Sequence, residues 1–195
     1  MKQADLTRQR LVRAALELFT AQGYHSTTTP AIARRAGIAE GTIYRHFTGK
    51  QQLLNELYRG AARWATKLVR EADGAPAPPR EKLARLSALL MGGAVREPAV
   101  VRLFLFQDHT PLLDEPSRTT AREFRGALES VMAQGKADGT VRAGGVDVLA
   151  SAWLGVLRVA LERILVRDWG VTSAGVQLCQ AVAWDAIAAR KASAE

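Results

Sequence analysis

Residues 27–50, TTTPAIARRAGIAEGTIYRHFTGK, contain two short helix-forming stretches joined at a single glycine, and no other part of the chain restricts its fold so tightly. Ile32 and Ala33 are the apolar positions of the first stretch that can face inward, while Arg34 and Arg35 fall toward solvent or phosphate. Gly37 ends that stretch. Lacking a Cβ, it takes positive φ without steric cost, which permits an abrupt reversal before Ile38 returns to the core. A second helix is predicted from about Glu40. At 3.6 residues per turn Ile43 and Phe47 lie one above the other, so they form its buried stripe.

The opposite face is then free. Counting about 100° per residue from Ile43, Gly41 and Arg45 point most directly away from the core, Thr42 and Tyr44 flank them, and His46 lies nearer the core side. A helix-turn-helix places such a face in a major groove. Gly41 allows close approach, the hydroxyls of Thr42 and Tyr44 suit phosphate oxygens, and Arg45 suits a guanine edge or a phosphate. Lys50 opens the next helix, where an ammonium can clamp the backbone. An ordinary helical hairpin with a solvated outer face has the same local pattern, so a separate line of support is needed.

Charge supplies it. Residues 1–72 hold twelve Lys and Arg against five Asp and Glu, a net of +7 within a chain total of +8. So local a basic excess is the electrostatic footprint of a polyanionic partner, whereas a generally alkaline surface would spread its charge. Lys2, Arg8, Arg10 and Arg13 either add phosphate contacts or form a solvated helix face.

The remaining composition narrows the class. A length of 195 residues and 48% hydrophobic content accommodate a well-buried helical domain with a small head. One cysteine, Cys179, excludes a disulfide framework and fits a reducing compartment. The opening MKQADLTRQR is no secretory signal, and Val146 to Val166 is interrupted by Asp147, Arg158, Glu162 and Arg163. A cytoplasmic location away from membranes is therefore expected.

Helical periodicity runs through nearly every segment and strand alternation through none, so the fold class is all-α. Leu11, Ala15, Leu18 and Phe19 stripe a first helix from about Thr7 to Ala21, followed by Gly23. Thr27 or Thr28 caps the second helix, with Pro30 tolerated in its first turn. A head this small needs support. The long apolar face of Gln51 to about Glu71 offers it as a strut that DGAPAPP ends at residue 73. Further helices are predicted at Arg80 to Val95, Pro98 to His109, Ser117 to Lys136, Val146 to Val166 and Ser173 to Arg190. The division expected is a DNA-binding domain over 1–50 and a helical ligand-binding and dimerisation domain over 51–195. The last two helices are apolar over so wide an arc that they are expected to pack on a second copy, giving a homodimer whose two heads meet an inverted repeat.

Gly23-Tyr24, Thr27-Thr28 with Ile32-Ala33, Ala36-Gly37-Ile38 and Gly41-Thr42-Ile43-Tyr44-Arg45-His46-Phe47 followed by Lys50 resemble the TetR family of bacterial transcriptional regulators. The match is dense from about Arg8 to Leu54. It implies an all-helical homodimer, usually a repressor, whose C-terminal body binds a small-molecule effector. By position it implies DNA contacts from Thr28 and Thr29 at the start of the supporting helix, from Thr42, Tyr44 and His46 on the recognition helix, and from Lys50. Ala39 departs from the serine common in the family, which leaves Glu40 to take over part of the capping.

The effector site is less legible. Trp64, Met91, Phe104, Phe106, Met132, Trp153 and Leu157 are candidate lining residues, although such side chains at helical spacing are commonly core. Gln107, Asp108 and His109 form a polar cluster at a helix end, and Arg158 either meets an anionic ligand or pairs with Glu162. No cofactor and no metal are expected. The three histidines and one cysteine match no catalytic or metal-binding motif, so an enzyme is not expected. The alternative that remains is a ligand-independent architectural DNA-binding protein using the same head.

Overall fold

The computed structural model describes residues 2–74 and 76–189. The contact expected of the Lys2 side chain, and the expected end of the last helix at Arg190, lie outside the described residues.

The described residues form α1 (Lys2–Gln22), α2 (Thr29–Ala36), α3 (Glu40–Ile43), α4 (Lys50–Asp73), α5 (Pro79–Arg96), α6 (Pro98–Val101), α7 (Glu115–Ala137), α8 (Val146–Leu165) and α9 (Ala174–Asp185). No strand occurs among them; the sole β-type pairing is an isolated bridge from Val141 to Ala188. Prolines and glycines punctuate the helices as their chemistry requires. Pro79 opens α5, where the first turn leaves N–H groups unpaired in any case. The predicted helix from Pro98 to His109 is instead one α turn, then a π turn over Arg102–Phe106, with extended backbone at Gln107. Leu103 and Leu105 are both buried there. Residues two apart lie on opposite sides of a helical turn, so this segment is covered on both sides.

Two compact units result. The first comprises Met1–Ala62 and Ala99–Thr120. Its core gathers Leu11 and Phe19 of α1, Ile32 of α2, Ile43 and Phe47, Leu53 and Leu54 of α4, and Leu103 from the π turn. Residues 1–50 therefore do not close a core alone; α4 and the 99–120 segment complete it. Polar bonds hold that segment in place. Buried Asn55 donates to the Leu112 carbonyl (3.0 Å) and accepts from the Asp114 amide (2.8 Å), and Arg59 pairs with Asp114 at 3.0 Å. Asp114 also accepts from the Ser117 amide at 2.9 Å, capping α7. Its carboxyl lies below the usual range: burial pushes it up, but bonds from the Ser117 hydroxyl and amide and from Arg59 outweigh that. Farther along, the Gln107 side-chain amide donates to the Phe19 carbonyl at the end of α1 (3.1 Å).

The second unit comprises Arg63–Pro98 and Ala121–Glu195. Leu83, Leu86 and Leu90 of α5, Trp153, Leu157 and Leu161 of α8, and Val176 and Ala183 of α9 make its interior. The sides of α8 and α9 turned away from that interior mix charged residues, Arg158 and Glu162 among them, with large apolar ones. Val148 and Val159 are 64% and 51% exposed, Leu178 and Val182 64% and 45%. No helix of the described residues is long and apolar enough to cross a membrane.

Candidate nucleic-acid interface

Residues 28–50 are shaped by a sequence of local devices. Thr28, in extended conformation, caps α2 by accepting from the Ala31 amide at 3.3 Å. Thr27 is wholly buried and donates to the Gly23 carbonyl at 2.8 Å, so of the two threonines the second is the cap. Gly37 ends α2 at φ 66°, ψ 42°, with its amide on the Arg34 carbonyl (3.0 Å) and the Ile38 amide on the Ala33 carbonyl (3.1 Å). This paired Schellman arrangement satisfies the last carbonyls of α2 and turns the chain toward α3.

The α geometry of α3 covers one turn only, and Ala39 at its start supplies no side-chain cap. Tighter bonds continue it: the Arg45 amide reaches the Thr42 carbonyl at 3.1 Å and that of His46 reaches Ile43 at 3.0 Å. Phe47 closes the turn on the same Ile43 carbonyl at 2.9 Å. Ile43 and Phe47 are buried, Gly41, Tyr44 and Arg45 are exposed, and Thr42 and His46 are half-buried. The Tyr44 ring, 56% exposed, is held by its hydroxyl against Thr29 Oγ1 at 3.0 Å. Arg45 makes no ion pair among the described residues.

Gly41 is informative because the chain itself does not need it. Its φ is not positive, and a Cβ built there would meet nothing within 4 Å. Glycine in a helix is less stable than alanine by about 0.5–1 kcal/mol. No close packing at this position among the described residues calls for a glycine.

Lys50 faces the other way. Its ammonium donates to the carbonyls of Tyr24 (3.0 Å), Thr27 (3.0 Å) and His25 (3.3 Å), and sits 4.3 Å from the centre of the Tyr24 ring. An ammonium has three donors, and three carbonyls occupy them. It staples the turn that presents the Thr28 cap. Burial raises the Tyr24 phenol above its ordinary range, so the ring stays neutral beside this cation.

Other cations divide similarly. Arg8 is paired with Glu56. Arg13 and Arg35 converge on Glu17, and the Arg35 hydrogen bond is the main cause holding that carboxyl below its usual range. Arg10 donates to the Gly37 carbonyl at 3.3 Å. Arg34 and Arg45 remain exposed without an ion pair among the described residues.

The expected effector residues are divided between the two units. In the first unit Phe104 stacks edge-on against Tyr58 (centroids 5.4 Å), whose ring also meets His109 (6.5 Å). His109 is buried and bonds Gln107 Oε1 at 3.2 Å. In the second unit Trp64 packs against Gly93, where a Cβ would come within 2.5 Å of its ring. Leu157 is fully buried, and Arg158 lies on the exposed side of α8. Trp153 lines a cleft of about 200 Å³ together with Arg80, Leu83, Ser87, Gln180 and Trp184, residues that sequence periodicity did not single out. Among the described residues no group of three or more His, Cys, Asp or Glu is arranged to hold a metal ion.

A capped helix, a left-handed glycine and a one-turn helix with a polar outer face define a helix-turn-helix protein. Residues 11–57 match the family model described as bacterial regulatory proteins, tetR family. The HTH-type transcriptional regulator SrpR of Pseudomonas putida is 50% identical over 52 residues, which cover 27% of this chain and 24% of SrpR. A likeness of that extent concerns the head. The fatty acid metabolism regulator protein of Bacillus subtilis is 26% identical over 147 residues, 74% of this chain and 75% of that protein. A crystal structure of a TetR-family transcription regulator from Shewanella sp. PV-4 superimposes with a TM-score of 0.80 at 24% identity, covering 94% of this chain and 99% of that one. The head, residues 11–57, is thus of the tetR family of bacterial regulatory proteins, and the whole chain has the fold of the Shewanella regulator.

Proposed function

We propose that this chain is a sequence-specific DNA-binding transcriptional regulator, a homodimer that represses from an inverted-repeat operator and is released by a small molecule. The observation that carries the DNA-binding part is the outer face of α3. It holds an exposed glycine that the fold does not require, an exposed tyrosine pinned by Thr29, and an arginine without an ion pair among the described residues. Gly41 gives the groove edge access to backbone, while Thr42, Tyr44 and His46 contact phosphate or sugar. Arg45 is the base-reading or phosphate-binding cation, and Thr28 and Thr29 contribute at the start of α2. Lys50 acts through the turn that it staples and not by direct contact.

Dimerisation is supported by the exposed apolar side chains Val148 and Val159 of α8 and Leu178 and Val182 of α9, which the same helices of a second copy would cover. Two weakly binding heads then act at one site with a combined affinity. Release requires the effector to favour one setting of the heads over another, since a ligand indifferent to both shifts nothing. The name of SrpR supports transcriptional regulation, and that of the Bacillus relative supports a metabolic process as its target.

The test is a titration of the purified protein against fragments selected from genomic DNA. Preference for a shared inverted repeat that survives moderate salt supports the regulator. Equal affinity for all fragments, collapsing with salt, marks the ligand-independent architectural alternative, because phosphate contacts alone carry no sequence information.

A further inference from the structure

Arg80 stands at the first turn of α5 with its guanidinium 5.6 Å from the centre of the Trp184 ring on α9, and among the described residues it has no ion pair. Below it opens the cleft of about 200 Å³. The wall is mixed in a particular way. Trp153, 2% exposed, and Leu83 are apolar; Ser87, buried, accepts from the Gln180 side-chain amide at 2.9 Å. A guanidinium held over an indole without an ion pair keeps donors available for a carboxylate, which its planar fork receives edge-on.

We propose that this cleft binds a small aromatic monocarboxylate, with its ring between the two tryptophans, its carboxylate on Arg80 and any ring hydroxyl or carbonyl on the Ser87–Gln180 pair. Volume sets the size of the ligand. A cavity of about 150 Å³ takes a benzene ring and drug-sized ligands need about 300 Å³ or more, so about 200 Å³ admits one substituted ring. A long acyl chain does not fit. Charge sets the number of carboxylates. Arg80 also borders an adjoining hollow that carries Glu81, whose carboxylate repels a second negative group on that side. The inference deepens the effector half of the proposed function, yet its test uses no DNA, so either can fail alone.

The experiment is tryptophan fluorescence and calorimetric titration of the full chain with benzoate, salicylate and phenylacetate, alongside the neutral isostere benzamide. At least one of the acids should bind saturably and perturb tryptophan emission. Arg80→Gln should weaken that acid roughly ten- to hundredfold, the range lost with a charge-assisted hydrogen bond, while leaving benzamide unchanged. Ala84→Trp, a bulky residue on the cleft wall at an exposed helical position, should abolish binding of both without lowering the melting temperature. No saturable binding of any of the three acids below roughly 10 mM, or equal affinity in wild type and Arg80→Gln, would overturn the assignment.

Discussion

The hydroxyl of Tyr44 lies 3.0 Å from that of Thr29, joining the outer face of the recognition turn to the first turn of the supporting helix. Fifteen residues of sequence separate the two, and the bond orients an aromatic ring that is 56% exposed. Tyr44→Phe removes it and little else. Because the bond is at the surface, stability should fall by no more than about 0.5–1 kcal/mol. Affinity for every duplex should drop, while the slope of log K against log salt stays as in wild type, since a neutral hydroxyl releases no counterion. Thermal melts and a salt series on one duplex read both.

Gly41→Ala separates folding from docking. No atom lies within 4 Å of the added methyl, so α3 should gain about 0.5–1 kcal/mol from lost backbone freedom in the unfolded chain. DNA affinity should decline because the methyl stands where the groove edge approaches. A variant that is more stable and binds as tightly as wild type would remove Gly41 from the interface.

Lys50→Ala distinguishes a staple from a clamp. With three carbonyl bonds lost from the 24–27 turn, the head should lose about 1.5–3 kcal/mol of stability, the usual worth of hydrogen bonds to a charged group. The salt slope should remain that of wild type. A direct phosphate clamp gives the reverse pattern: intact stability and a slope reduced by about 0.9.

His109 predicts acid sensitivity of the first unit. Burial lowers its folded pKa below the ordinary 6.5, against a smaller opposing pull from the Asp108 carboxylate. The unfolded chain therefore takes the proton more readily. The stability contribution is complete above about pH 6.5 and is lost as pH falls through the folded value. His109→Gln should flatten the melting temperature over that interval, where wild type declines on acidification. Parallel declines in both proteins would assign the effect to other groups.

Much of the head is legible from sequence because its determinants are local. A glycine six residues before Ile43 takes positive φ at the end of α2, and Ile43 and Phe47 share a face whether the turn is α or slightly tighter. The threonine cap is half legible: both hydroxyls fit by type, and only the burial of Thr27 selects Thr28. Long flexible side chains are illegible. Four rotatable bonds let Lys50 turn inward to carbonyls 23 to 26 residues away, and no periodicity reports that. Contacts made by the fold are likewise hidden. Gln107 meets Phe19 across 88 residues, and Gln180 meets Ser87 across 93. The π turn at Arg102–Phe106 escapes for a related reason: after Arg102 the run LFLF is continuously apolar, so its pattern does not report the helical pitch.

The most direct measurement is the stoichiometry and sequence preference of the purified chain on DNA, read by mass photometry on fragments selected from genomic DNA. The paired-head reading predicts two chains per fragment, a shared inverted repeat among the fragments, and loss of both with Gly41→Ala. A single chain on unrelated fragments, or no complex at low ionic strength, would contradict it.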